Sequence, residues 1–253
     1  MRRKIVVGNW KMNLLEKEAE ELISKIKQSQ ISLALTDIVI CPPFLFIPKA
    51  KEILSDTVIK IGAQNCFWEN EGAFTGEIAP AQLKELCEYV IIGHSERRRY
   101  QKETDEEINK KVLAAAGKGL KVILCVGESL EDYRKGNYEV VIDQLIANLK
   151  GLLPDMADKI IIAYEPIWAI GSGEAATPEY ANKVATRIRQ EMGGILGKET
   201  ASNLRILYGG SVNRDNASQF VAVAEIDGLL IGGASIKPLE FIEIIKNVNK
   251  VKT

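Results

Sequence analysis

Residues 89–124 read YVIIGHSERRRYQKETDEEINKKVLAAAGKGLKVIL, and this stretch decides the fold. Its two apolar runs, residues 89–92 and 121–124, are too short for core helices and are typical of strands buried on both faces. Between them, Thr104 and Glu107 form a capping box that predicts a helix over residues 104–116. The stretch is therefore predicted to form a strand, a helix and a second strand parallel to the first.

The same unit recurs along the whole chain, about every 30 residues. Short β-branched runs occupy residues 5–7, 38–40, 58–61, 89–92, 121–124, 160–163, 204–207 and 228–231. Helical patterns lie near residues 16–28, 48–54, 80–87, 104–116, 138–152, 179–196, 213–223 and 238–248. Eight alternating units of this size predict an α/β protein, a closed (β/α)8 barrel with a parallel eight-stranded sheet and outer helices.

An open doubly wound sheet is the rival arrangement. It would place a glycine-rich turn after its first strand, or a crevice at one switch point. Residues 9–13 read NWKMN and contain no glycine, which favours the barrel. Asn13 with Glu16 resembles a second capping box, at the start of the first helix. No Pro/Ser-rich linker interrupts the pattern, so residues 1–253 are predicted to form one barrel domain.

The composition excludes several classes of protein. Lys and Arg number 33 against 34 Asp and Glu, so there is no surplus of basic charge for nucleic-acid binding. The apolar run at residues 5–7 is too short for a signal peptide or a membrane span. The four cysteines are widely spaced and form no C-x-x-C pair, which predicts reduced thiols in a cytoplasmic protein.

Functional residues of such a barrel follow the carboxyl ends of its strands. His94 is the only histidine and follows a predicted buried strand. It could be a structural histidine that is merely hydrogen-bonded. However, Ser95 is a plausible helix N-cap, and a helix N-terminus disfavours the imidazolium form. A neutral ring there could donate its N–H to a substrate carbonyl.

Glu165 lies between Tyr164 and Pro166 at the end of the sixth predicted strand. A carboxylate among apolar residues is partly desolvated, which makes it a stronger base. The alternative is a buried salt bridge with a structural role.

Small residues follow the last strands, at GGS (residues 209–211) and GGAS (residues 232–235). Glycine lets main-chain N–H groups approach an anion, and the seventh and eighth turns are the usual phosphate site of barrels. Lys11 is predicted to be a fixed cation near a phosphate or an oxyanion, although a Schiff-base lysine is an alternative. One histidine and scattered cysteines make no ordinary zinc site, so neither a metal nor a cofactor is expected. The residues thus indicate an enzyme that removes a proton next to the carbonyl of a small phosphorylated substrate.

Five motifs, in this order, closely resemble those of the triosephosphate isomerase family and span the whole chain. They are GNWKMN (8–13), IGHSERR (92–98), AYEPIWAIG (163–171), YGGSV (208–212) and GGAS (232–235). The resemblance implies a TIM barrel that interconverts dihydroxyacetone phosphate and D-glyceraldehyde 3-phosphate through an enediolate.

The resemblance also implies roles for individual residues. Glu165 would be the base, His94 the electrophile and Lys11 a cation that stabilises the enediolate and the phosphate. Asn9 would bind the substrate, and the phosphate would be held by main-chain N–H groups of Gly171, Ser211, Gly232 and Gly233. The supporting residues would be Ser95, Glu96, Ile170 and Leu230.

Two further segments resemble mobile or interfacial parts of the family. Residues 166–177 resemble a lid that closes on the substrate, with Ile170 and Leu230 pressing on Glu165. The family often has Gly-Thr-Gly where this chain has Gly171-Ser172-Gly173, so the stiffness of the hinge is open. The turn GAFTGE (72–77) resembles the loop that enters the neighbouring subunit, so Thr75 is expected at the interface of a homodimer or a higher oligomer.

Two other functions remain as alternatives. A metal-dependent sugar-phosphate epimerase would need several His or Asp ligands, which a single histidine disfavours. A catalytically silent phosphate-binding protein would be favoured if Glu165, His94 or Lys11 were missing, and all three are present.

Overall fold

The barrel is built from eight short strands, all parallel, which pair in the order of the chain and close through β1 and β8. In the computed structural model, residues 2–29, 31, 36–170 and 176–251 are described. The strands are β1 (Lys4–Asn9), β2 (Thr36–Cys41), β3 (Lys60–Ala63), β4 (Tyr89–Ile92), β5 (Lys121–Val126), β6 (Ile160–Tyr164), β7 (Arg205–Tyr208) and β8 (Gly228–Ile231). This arrangement confirms the predicted (β/α)8 barrel.

Helices cover the outside of the sheet. They are α1 (Glu16–Gln28), α2 (Ile47–Ile53), α3 (Pro80–Lys84), α4 (Asp105–Gly117), α5 (Leu130–Arg134), α6 (Glu139–Asn148), α7 (Pro178–Leu196), α8 (Lys198–Asn203), α9 (Ala217–Ala222) and α10 (Pro238–Lys250). Thr104 caps α4 as predicted, since its side chain accepts a hydrogen bond from the Glu107 N–H and the Glu107 carboxylate accepts one from the Thr104 N–H.

Two separate apolar layers hold the strands. Alternate strand residues point into the barrel and fill it, so it is a packed core and not a pore. The inward set is Ile5, Val7, Val39, Cys41, Tyr89, Ile91, Ile123, Cys125, Ile161, Ala163, Leu207 and Leu230. The neighbouring strand residues point outward and pack under the helices, as Val6, Ile92 and Leu124 do. Burial on both faces explains why the strands read as continuous apolar runs.

The structure corrects one local prediction and adds two helices. Asn13 does not cap α1; its side chain donates to the Trp10 carbonyl, and the Glu18 carboxylate instead accepts from the Leu15 N–H. Helices α5 and α8 were not predicted, because α5 buries none of its residues and α8 buries only Ala201, so neither has an apolar stripe.

All four cysteines are free and buried, in agreement with the prediction of reduced thiols. Burial raises the pKa of the Cys66 and Cys87 thiols to about 12, so both stay protonated and unreactive near neutral pH. Within the described part of the chain, no helix is long and apolar enough to cross a lipid bilayer.

Candidate active site

A cavity of about 340 Å³ opens at the carboxyl ends of the strands. Its walls come from turns that are far apart in sequence, because a closed barrel gathers all its strand ends into one ring. Nine of the predicted site residues line it: Asn9, Lys11, His94, Glu165, Ile170, Ser211, Leu230, Gly232 and Gly233. Gly171 lies outside the described residues, and Thr75 is in an exposed turn that does not line the cavity.

Glu165 follows β6 directly and is 1% exposed. Its Oε2 accepts a hydrogen bond from the main-chain N–H of Ser95 at 3.0 Å. Its Oε1 lies 3.1 Å from His94 Nε2 but is buried without a hydrogen bond of its own. Among the described residues no Lys or Arg pairs with this carboxylate, so the structure does not support the alternative of a buried salt bridge. Oε1 is thus a buried carboxylate oxygen that lies beside the His94 ring nitrogen without a well-aligned donor.

His94 is held so that one ring nitrogen faces the carboxylate. Its Nδ1 accepts the main-chain N–H of Glu96 at 3.2 Å, which leaves Nε2 to carry the proton of the neutral ring. The His94 carbonyl accepts the first N–H bonds of the following turn, from Arg97 and Arg98. Ser95 therefore lies one residue inside that turn and not at its N-cap, and it contributes its main-chain N–H to Glu165.

Lys11 has a left-handed backbone, with φ of 55°, which is uncommon for a lysine. Two amide side chains hold this conformation. Asn9 Oδ1 accepts the Lys11 N–H at 3.1 Å, and Gln64 Nε2 donates to the carbonyls of Lys11 and Cys41 at 2.9 Å each. The ammonium pairs with Glu96 Oε1 at 2.5 Å. Gln64 was not among the predicted site residues, because its contact with Lys11 depends on the neighbouring positions of β1, β2 and β3.

The glycine turns at residues 209–211 and 232–235 form another part of the cavity wall. A side chain at Gly232 would meet the Lys11 Cε at 3.2 Å, so glycine leaves room for the lysine. Gly233 begins a short 3-10 helix, Gly233–Ile236, whose first N–H groups have no partner within the helix. Ser211 donates its hydroxyl to the Ala169 carbonyl at 2.6 Å, which ties this wall to the start of the lid segment. Such turns suit an anion.

Both described ends of the lid segment are anchored. Near its start, Glu128 Oε1 accepts hydrogen bonds from the Tyr164 hydroxyl (2.8 Å), the Trp168 Nε1 (3.0 Å) and the Tyr180 hydroxyl (3.3 Å). Burial raises the pKa of Glu128, against the effect of these donors. Near its end, the Ala176 N–H donates to the Tyr208 hydroxyl at 3.1 Å. Glu128 was not among the predicted site residues, because its partners lie 36 to 52 positions away along the chain.

Comparison with known proteins agrees with this geometry. A family model described as triosephosphate isomerase matches residues 4–248. A triosephosphate isomerase of Dictyoglomus turgidum is 50% identical over 249 residues, which are 98% of this chain and 100% of the relative. Those of Caldanaerobacter subterraneus subsp. tengcongensis and Clostridium tetani are 48% and 47% identical, each over 97% of this chain.

Matches of this length and identity extend through every strand and every wall of the cavity. The closed parallel barrel, the paired Glu165 and His94, and the relatives agree: this chain belongs to the triosephosphate isomerase family.

Proposed function

We propose that this chain interconverts dihydroxyacetone phosphate and D-glyceraldehyde 3-phosphate in the cavity at the carboxyl ends of the strands. The observation that carries the proposal is the buried Glu165 carboxylate, with Oε1 unbonded and 3.1 Å from the Nε2 of His94. A glutamate base beside a neutral histidine is the established pairing in triosephosphate isomerases. We infer that residues 1–253 act as a single catalytic domain.

The chemistry is a proton transfer between two adjacent carbons. Glu165 takes the proton from the carbon next to the carbonyl, and the electron pair of that C–H bond forms the C=C bond of the enediolate. The former carbonyl oxygen gains the negative charge and receives a hydrogen bond from His94 Nε2. His94 Nε2 gives its proton to that oxygen and takes in return the hydroxyl proton on the carbon that was deprotonated, so the negative charge moves to the other oxygen. That oxygen re-forms a carbonyl while the C=C electron pair takes the proton back from Glu165 at the former carbonyl carbon, and the atoms and electrons of substrate and product balance.

The carboxylate must move before this can happen. A separation of 3.1 Å between Glu165 Oε1 and His94 Nε2 leaves no space for a carbonyl oxygen between them. The substrate would therefore take the His94 donor for itself and release Glu165 from the Ser95 N–H. Released from that donor, the carboxylate is free to turn toward the C–H bond of the substrate.

The other predicted residues bind and enclose the substrate. Lys11 supplies positive charge for the enediolate and the phosphate, and Asn9 holds the Lys11 N–H. The main-chain N–H groups of Gly171, Ser211, Gly232 and Gly233 would receive the phosphate. Ile170 and Leu230, which line the cavity beside Glu165, would exclude water when the lid closes.

The test is a coupled assay of glyceraldehyde 3-phosphate isomerisation by the parent, Glu165→Gln and Glu106→Gln. Glutamine keeps the shape of residue 165 but cannot accept the proton, so kcat should fall by about 10³-fold or more. Glu106, on the exposed face of α4, is the matched control and should retain the parental rate. An inactive parent that still binds inorganic phosphate would overturn the proposal in favour of a silent phosphate-binding protein.

We further propose a homodimer that works in the cytoplasm. Large apolar side chains are exposed on the turns after β1, β2 and β3, which are neighbours in the barrel: Met12, Leu15, Leu45 and Phe74. Large apolar side chains exposed on neighbouring turns favour covering by another protein surface. Thr75 lies in the exposed turn of this group and would contact the second copy. The four free thiols suit a reducing compartment.

A further inference from the structure

The cavity has an ion pair at its outer end that the mechanism does not use. Lys237 follows the glycine turn after β8; its N–H donates to the Ala234 carbonyl, and it is the residue before α10. Glu240 lies in the first turn of α10, and its Oε2 is 3.5 Å from the Lys237 Nζ. Both side chains line the cavity on the side of the glycine turns, where the phosphate would lie.

A carboxylate is unexpected in the wall of a cavity that takes a doubly charged anion. The described charged residues of the wall are Lys11, Lys237, Glu165 and Glu240, so their formal charges cancel. Lys11 is already paired with Glu96, and Glu165 is reserved for proton transfer. Lys237 is therefore the cation available to meet an incoming phosphate, and Glu240 is the group that competes with the phosphate for it.

The geometry of the pair suits exchange of partners. The Lys237 side chain is 71% exposed and that of Glu240 is 25% exposed, so the ammonium is the partner that solvent and an incoming anion reach more easily. At 3.5 Å in largely aqueous surroundings, one such pair contributes little stability, and its partners separate easily. A phosphate dianion attracts the ammonium more strongly than one carboxylate does.

We propose that Lys237 receives the substrate phosphate during encounter and that Glu240 is its resting counter-ion, replaced when the phosphate arrives. The inference rests on the proposed function and adds two residues to its binding step. Charges at the rim of a site act chiefly on the rate of association and on its salt dependence. Triosephosphate isomerases reach the diffusional ceiling, so their kcat/KM reports on that encounter directly.

The experiment measures kcat/KM and the inhibition constant of inorganic phosphate for the parent, Lys237→Met, Glu240→Gln and the double variant, at low and high salt. Lys237→Met should lower kcat/KM and raise the phosphate inhibition constant by about threefold at low salt, the effect of one screened charge. Glu240→Gln should shift both quantities about twofold in the opposite direction. Both effects should shrink in about 0.5 M salt, where the Debye length is only a few Å.

The double variant distinguishes exchange from simple repulsion. If Glu240 acts by holding Lys237, the gain from Glu240→Gln should largely vanish once residue 237 is methionine. A gain of full size in the Lys237→Met background would overturn the exchange, because Glu240 would then repel the phosphate directly.

A second ion pair, with both residues inside α10, supplies the control. Lys246 and Glu243 are also three residues apart, with Nζ 3.8 Å from Oε2, and neither lines the cavity. Lys246→Met and Glu243→Gln should leave both quantities at the parental values. If the parent is active and Lys237→Met behaves like Lys246→Met, the inference is wrong and the proposed function stands. If the parent is inactive, the proposed function itself fails.

Discussion

At the scale of single residues, Lys11 shows how the fold maintains a left-handed backbone conformation in the wall of the cavity. A left-handed non-glycine residue costs about 1–3 kcal/mol and persists only where its surroundings enforce it. Here Asn9 and Gln64 hold its N–H and its carbonyl, and Glu96 holds its ammonium. In this conformation the lysine side chain reaches Gly232, where a Cβ would lie 3.2 Å from the Lys11 Cε.

Gln64→Leu tests this arrangement. Leucine has nearly the same size but leaves the carbonyls of Lys11 and Cys41 without a donor, so Lys11 should lose its fixed position. We expect kcat/KM to fall about tenfold, in keeping with the loss of one or two hydrogen bonds. Gln82→Leu is the control, since Gln82 only caps α3. Equal kinetics for the two variants would show that Lys11 needs no such support.

At the scale of elements, the carboxyl ends of β5 and β6 pack so closely that only glycine fits between them. A Cβ at Gly127 would lie 1.7 Å from the Glu165 carbonyl oxygen, which is main chain and cannot yield cheaply. This close contact fixes the main chain of Glu165 relative to β5, at a position where its carboxylate accepts the Ser95 N–H.

Gly127→Ala should therefore displace the main chain at Glu165. We expect the free energy of unfolding to fall by about 3 kcal/mol, with a loss of activity in the fraction that remains folded. Gly194→Ala is the contrasting variant, because Gly194 lies within α7 with open space around its Cβ position. It should raise the free energy of unfolding by about 0.5–1 kcal/mol through helix propensity, with unchanged activity. Denaturant titrations measure both changes, and a neutral Gly127→Ala would contradict the close approach.

The free energy of unfolding should depend on pH through Glu128, which binds residues at the start of the lid segment. Burial raises the pKa of this carboxyl above its ordinary value of 4.5, so the folded protein binds a proton more tightly than the unfolded chain does. The contribution of Glu128 to stability is thus largest below pH 4.5 and falls as the pH rises toward the folded-state pKa, after which it is constant.

Glu128→Gln removes this titration and keeps an acceptor for Tyr164, Trp168 and Tyr180. The stability of the parent minus that of the variant should therefore decrease with rising pH, by at most about 1.4 kcal/mol per pH unit. Urea titrations of both proteins from about pH 4 to pH 8 measure the difference. A difference that is constant over this range would mean that Glu128 titrates normally.

At the scale of the whole molecule, the exposed apolar turns after β1, β2 and β3 form a surface distinct from the cavity. The side chain of Leu45 is 84% exposed in the single chain, yet the β1 and β2 strands beside it are buried throughout or nearly so. In the proposed homodimer these turns would be covered by the second copy, and the loop that carries Lys11 would be supported from outside.

Leu45→Arg should consequently give a monomer in sedimentation velocity, because a buried charge without a partner opposes association by several kcal/mol. The isomerase activity of this monomeric variant should be lower than that of the dimeric parent. Leu153→Arg, an exposed leucine at the opposite end of the barrel, is the matched control and should sediment like the parent. A fully active monomeric parent would show that the apolar turns have another purpose.

The pattern of the chain was sufficient for the barrel. Strands buried on both faces must be short and continuously apolar, so residues 89–92 and 228–231 were predicted with the bounds that β4 and β8 have. The apolar stripe of α1 predicted that helix, whereas α5 and α8 bury too few side chains to show a stripe. Closure follows from eight repeats of one strand–helix unit, because parallel strands with right-handed crossovers curve the sheet in one sense.

By itself, then, the sequence determined the fold, the ring of strand ends, and His94 and Glu165 as the pair at that ring. Only the tertiary structure decided how these groups are held. It placed the Ser95 N–H on Glu165, Gln64 under Lys11, and Tyr164, Trp168 and Tyr180 around Glu128. It also brought Lys237 and Glu240 together as an ion pair in the cavity wall. The physical reason is that periodicity reports which side chains are buried, whereas a hydrogen-bond partner depends on where separate strand ends meet.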